Sequence, residues 1–180
     1  MIGRALSTAT LLLLSLPAMA QEPPANADLV AKALFGAADG ASVFNEFALA
    51  VMRQAGPGDF IGVDESGTDV HRLLVTEPAP CRFRIEPFLE GAPLGAVNLD
   101  ASQLEQVVYT TGVTLDDLPI PMTDYTIDIV GGAGVLLLDS VGADGQPQEA
   151  VRSDIYLMTS VPLAEIEDAV ATLKQRCGGT

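Results

Sequence analysis

The sequence predicts an α+β domain, an antiparallel meandering sheet of about six or seven strands covered by an N-terminal helix or helices and a C-terminal helix. Three observations carry this prediction. Apolar residues recur at helical spacing before residue 56 and again after residue 162. Between about residues 59 and 160 the period falls to two, the mark of strands with one buried face. The connections inside that stretch are too short to hold crossover helices, so neighbouring strands should run antiparallel.

The first element is not part of the fold. Arg4 gives a positive start, a leucine-rich run follows, Pro17 breaks it, and Ala18-Met19-Ala20 sets small residues where a signal peptidase reads. Residues 1–20 therefore read as a cleavable signal peptide, with the mature chain starting at Gln21. The apolar run is shorter than the roughly 20 residues of a membrane span. Gln21 stands where a lipoprotein would carry cysteine. Residues 21–27 read as a loose leader, and 28–180 as a single domain, long enough for one sizeable core.

Helical character is expected from Asp28, a good N-cap residue. Leu29, Val30, Ala33, Leu34 and Ala37 follow, and Gly36, Asp39 and Gly40 interrupt the pattern. Two short helices or one kinked helix are predicted. The second part would carry Val43, Phe44, Phe47 and Val51 and stop at Gly56-Pro57-Gly58. Strands are expected at 60–63, 70–76, 81–86, 96–99 and 106–111, with 77–80 as a turn and 114–123 as an extended, proline-bearing loop.

Tyr125, Ile127 and Ile129 then alternate with polar residues. Gly131–Gly134 reads as a turn, 135–141 as the returning strand, 142–147 as a second turn built on Asp144-Gly145, and 150–159 as the end of a three-strand meander. The same order fits a small barrel closed by the last helix. That helix begins near Pro162, which suits a first turn, and stops at Gly178. Acids crowd its start, and Lys174 and Arg176 lie near its end, as the helix dipole favours. Leu163, Ile166, Val170, Leu173 and Cys177 form one stripe.

Cys81 shares a predicted strand face with Phe83 and Ile85, and Cys177 continues the helical stripe. Both sulfurs should point into the core, and an even cysteine count in an exported chain reads as a disulfide. Closing so long a loop is worth about 4.7 kcal/mol in the chain-entropy account.

Chemistry is sparsely marked. The net charge of −15 repels nucleic acid and anionic lipid surfaces at long range. His71 is the only histidine, and no GxSxG elbow accompanies it. Catalytic carboxylates remain conceivable among 24 acids, yet the chain has no Trp and three Tyr with which to line a sugar groove. Gly131–Gly134 lacks the Lys-Ser/Thr end of a P-loop. Two acidic loops, Asp64/Glu65/Asp69 and Asp116/Asp117/Asp124, have no EF-hand spacing and read best as solvated turns. No metal site and no cofactor is predicted.

One local feature runs against the charge. Arg72, Arg82 and Arg84 lie within thirteen residues. With 77–80 as a four-residue hairpin loop, His71 falls opposite Glu86, and Arg82, Arg84 and His71 share the outer face as a candidate contact for a carboxylate ligand or an acidic partner. The alternative is an ordinary strand face with the arginines paired to nearby acids. The function expected is that of an exported envelope protein, periplasmic or secreted, acting as a non-enzymatic binding or interaction module. Its partner would be a small ligand or another envelope protein, with no nucleic acid and no stable membrane insertion after signal cleavage. The alternatives are a small carboxylate- or His-dependent hydrolase, and a carrier of an apolar ligand held between sheet and helices near Phe44, Phe47 and Phe83.

Overall fold

A computed structural model describes residues 25–44, 49–116, 118, 120–141, 147–151 and 154–178. The segment expected to be a signal peptide, Phe47, Asp117 and the expected turn at Asp144-Gly145 lie outside these. The described chain forms helix α1 (Asn26–Phe35), strands β1 (Ser42–Phe44), β2 (Leu49–Gly56), β3 (Asp59–Val63), β4 (Asp69–Ala79) and β5 (Arg82–Leu89). Strands β6 (Ala92–Pro93), β7 (Ala96–Asp100), β8 (Leu104–Leu115), β9 (Met122–Gly131), β10 (Leu136–Val141), β11 (Pro147–Val151) and β12 (Asp154–Thr159) follow, then helix α2 (Leu163–Cys177).

All strands join one antiparallel sheet in the order β11-β10-β7-β5-β4-β3-β2-β1-β12-β9-β8, with β6 paired to β5. This sheet cannot be flat. Strand β7 and strand β8 stand eight steps apart along the order. In a flat sheet that is roughly 38 Å. Only the single-turn helix Ala101–Gln103 connects them, and a chain of that length reaches about 14 Å. The sheet must therefore curl until its two arms meet. Backbone bonds across the meeting point agree: Asp100 N–H donates to Val135, and Gly132 N–H donates to Gln103. β11 and β8 end the path, and among the described residues no pairing joins them, so the roll is open and is not a closed barrel.

The expected six or seven strands thus become twelve, and the three-strand meander is corrected. Gly131–Gly134 is no hairpin: β9 pairs with β8 and β12, while β10 pairs with β7 and β11. The glycines carry the chain between arms. What reads as one strand over 150–159 is split between β11 and β12, which lie in different arms.

The helices also differ from expectation. α1 is a single helix that starts two residues before Asp28, with Ala25 as its cap residue. The second helical stretch is instead β1 and β2, paired in register Val43↔Ala50 and Phe44↔Leu49. Val43, Phe44 and Val51 are β-branched or aromatic and suit a pleated surface better than a helix. Gly56-Pro57-Gly58 is the β2–β3 turn. Asp28 serves that turn from inside the helix: its Oδ1 accepts from Gly58 N–H at 2.7 Å and from Gln54 Nε2 at 2.9 Å.

Both helices lie in the hollow of the roll instead of on a flat face. Lys32 of α1 meets Glu165 of α2 at 3.4 Å. Val30 and Ala31 from α1, and Ile166 and Leu173 from α2, are buried with Phe60, Phe83, Ile85, Ile127 and Leu136 of the sheet. The predicted stripe of α2 is the buried one, with Leu163 half-buried at its start. Each fully buried Phe, Leu or Ile side chain contributes about 1.5–3 kcal/mol. Cys81 and Cys177 form the disulfide, with Cα atoms 5.5 Å apart. Cys81 is not on a strand, however. It occupies the β4–β5 turn with a left-handed backbone, φ 60°.

Candidate functional site

Strands β4 and β5 run the length of the molecule and define its two ends. At the end holding the Cys81 turn, α1 begins, α2 finishes and the disulfide ties them to the sheet. Arg176 of α2 donates to Asn26 of α1 there at 3.1 Å, and Asn26 donates to Glu77 of β4 at 3.3 Å. At the opposite end no helix fills the hollow. A cavity of about 380 Å³ remains.

Its construction follows from alternation along the strands. Leu73, Leu136, Leu138, Ile155 and Leu157 belong to the inward-facing sets of β4, β10 and β12, and each set runs past the reach of α1. Phe35 and Ala37, at the C-terminal end of α1, close the inner end. Met52 and Val97 complete the wall. Phe44, Leu94 and Tyr156 stand at the mouth, 40%, 53% and 58% exposed. The Tyr156 hydroxyl donates to Asp124 at 3.3 Å, which fixes the ring at the rim. Of the seventeen described lining residues none is acidic, and His71 and Arg72 are the basic ones. A second groove, of about 650 Å³, lies between β8 and α2, but it is more open and is crossed by Glu167 and Lys174.

The sequence-predicted contact residues are separated by the sheet. The β4–β5 turn is tighter than expected, with Ala79 opposite Arg82, and a bulge lies between Thr76 and Ala79. His71 accordingly pairs with Leu89 and not with Glu86. A shift by an odd number of residues turns a side chain to the other face. His71 is buried, 9% exposed, on the inner face, where it lines the cavity and packs over Gly62. Arg82 and Arg84 stay outside.

Each of the three arginines has an acidic partner. Arg72 makes a bidentate pair with Asp59 at 2.8 and 2.9 Å. Arg84 bonds Asp139 at 2.8 Å and meets Glu86 at 3.3 Å. Arg82 lies 3.5 Å from Asp100. Hydrogen bonds from Asn98 and Arg84 hold the Asp139 carboxyl below its usual value, and Ser102 does so most strongly for Asp100. This is a paired strand surface, with no cluster of uncommitted cations to seize a carboxylate.

Of the two acidic loops, the first is internally bonded, whereas in the second Asp117 lies outside the described residues and Asp124 keeps one buried oxygen, Oδ1, without a hydrogen bond among the described residues. Asp64 Oδ1 accepts from Ser66 N–H, Ser66 Oγ and Thr68 N–H at 2.7–2.9 Å, closing its turn on itself. Among the described residues no three His, Cys, Asp or Glu side chains are grouped to hold a metal. Of the three phenylalanines expected at an apolar ligand, Phe44 is at the mouth, while Phe83 is sealed in the core at 2% exposure.

The sequence reading missed Leu94, Val97, Leu136, Leu138, Ile155 and Tyr156. Their alternation marked strands, and nothing local says that strands far apart in sequence surround one space. No protein family, no characterised protein and no solved structure matches this chain. Among the described residues no helix is long and apolar enough to cross a membrane.

Proposed function

We propose that this protein is a non-enzymatic binding module of the cell envelope whose ligand is a small apolar molecule held in the cavity at the open end of the rolled sheet. One observation carries the reading: a preformed space of about 380 Å³, within the usual range for ligand sites, lined by aliphatic and aromatic side chains and by no carboxylate. His71, Arg72 and the Tyr156 hydroxyl are the polar side-chain groups among the described lining residues. Hydrolysis would need a nucleophile or a second titrating group beside His71. In the described lining only Tyr156 could serve, and it stands at the mouth with its hydroxyl bonded to Asp124.

Export through the signal at residues 1–20 would place the domain in the periplasm or outside the cell. The Cys81–Cys177 bond supports that placement, since such bonds persist in oxidising compartments.

The test is titration of delipidated mature protein with N-phenylnaphthylamine, an uncharged dye that brightens in apolar surroundings. Saturable binding at one site is expected. Val97→Trp, which fills a half-buried part of the wall, should weaken it by about tenfold or more. No saturable dye binding, together with no co-purified apolar molecule in native mass spectra, would overturn the reading.

A further inference from the structure

The cavity has an unusual doorway. Phe44, Leu94 and Tyr156 come from β1, the β6–β7 connection and the outer part of β12, yet all three expose apolar surface around one opening. Outward positions at a strand end ordinarily carry polar residues. A cluster of exposed apolar groups around an apolar pocket marks a surface that meets something apolar. Tyr156 adds the amphipathic character of an interfacial residue, with its ring outward and its hydroxyl held by Asp124.

We infer that this rim docks on an uncharged lipid surface, from which the cavity draws a single hydrocarbon chain. The inference rests on the ligand-binding reading above and names the source of the ligand. Charge selects the kind of surface. A chain of net charge −15 is repelled by anionic lipid. Arg72, the arginine among the described lining residues, is engaged by Asp59 and is not available to offset that repulsion at an anionic head group. A neutral lipid surface imposes no such penalty. Geometry favours lipid over a protein partner. The three exposed apolar groups all line the cavity, so a surface that covers them together also covers its opening. A lipid surface is at once the cover and the reservoir of chains. The cavity volume, near the low end for ligand sites, limits the cargo to one chain.

The experiment uses the mature protein with vesicles of phosphatidylcholine or of phosphatidylglycerol, separated by flotation. Wild type should float with phosphatidylcholine and about fivefold less with phosphatidylglycerol at low salt, the gap narrowing as salt screens the repulsion. The triple variant F44S/L94S/Y156S should lose about tenfold or more of the flotation, with circular dichroism and the melting transition reporting that it is folded.

A second measurement does not depend on that variant. The chain has no native tryptophan. Leu94→Trp at the rim should be quenched by brominated phosphatidylcholine, and Ser102→Trp at the stapled end should not. Saturable dye binding by wild type without flotation or rim quenching would overturn the lipid surface while leaving the cavity reading intact. Equal quenching at both positions would overturn docking through the rim. Absence of dye binding, together with no co-purified apolar molecule, would overturn both readings.

Discussion

The two ends of this molecule are made from the same strands and treated in opposite ways. At one end α1, α2 and the β4–β5 turn are joined by a disulfide and a short chain of polar contacts, Arg176 to Asn26 to Glu77, and the space between arms is packed solid. At the other, β1, β4, β10 and β12 continue past the end of α1, and their inward leucines and isoleucines face a cavity. The inward pattern of β4 is one pattern throughout: Val75 is core, and Leu73 and His71, two and four residues back, are cavity wall. What changes along the strand is the thing opposite it. A core and a binding site can be the same side-chain alternation with and without a helix to fill it.

This contrast predicts where the molecule tolerates damage. The largest effect should come from C81S/C177S. Removing a link across 96 residues should cost about 4–5 kcal/mol in denaturant unfolding. If the ends are as separate as described, dye affinity at low temperature should change little, and a loss of affinity in step with stability would break the comparison.

Next comes a pair of glycines with positive φ. Gly58 (φ 69°) lies in the β2–β3 turn, where an added Cβ would run into the Val75 carbonyl and the Ala27 methyl. Gly91 (φ 79°) lies in the β5–β6 turn with nothing within 4 Å. Gly58→Ala should lower stability by about 3 kcal/mol, through strain and overlap together. Gly91→Ala suffers only the backbone term, about 1 kcal/mol. Equal losses would mean that the packed end is looser than the distances imply.

The smallest effect sharpens the outer surface. Asp139→Asn removes the partner of a largely exposed Arg84 and should cost about 0.5 kcal/mol after screening. The folded-state carboxyl sits below its ordinary value of 3.8, so its stabilisation is present above that pH and is lost as pH falls through the folded value. Wild type and variant should therefore converge in urea unfolding at the acid end. A difference that grows on acidification would refute the assignment.

The sequence carried local structure well and distant structure poorly. The stripe of α2 and the alternation of β9 were readable because each is settled by neighbours three, four or two residues away. The Cys81–Cys177 bond was expected from the even cysteine count and the stripe of α2, although Cys81 reaches it from a turn and not from a strand face. The helix read over Val43, Phe44 and Val51 failed because so few apolar residues do not exclude short strands, and the pairing of β1 with β2 and β12 decides the matter. Gly131–Gly134 looks like a hairpin turn, and only the position of β7 reveals that the chain crosses there. The register around His71 turned on a single bulge. The cavity left no mark at all, because it is produced by the roll, and the roll is imposed by three short connections between arms.

The place of β12 in the sheet has a consequence for how the protein comes into being. It is the last strand of the described chain, yet it lies between β1 and β9, with pairs on both sides. During synthesis the first and ninth strands must wait with bare edges until nearly the whole polypeptide has emerged, and only then can the centre of the sheet be stitched. So much long-range pairing makes folding slow. If the chain is exported as proposed, that delay would be an advantage, because a translocation channel could receive it before its middle closes.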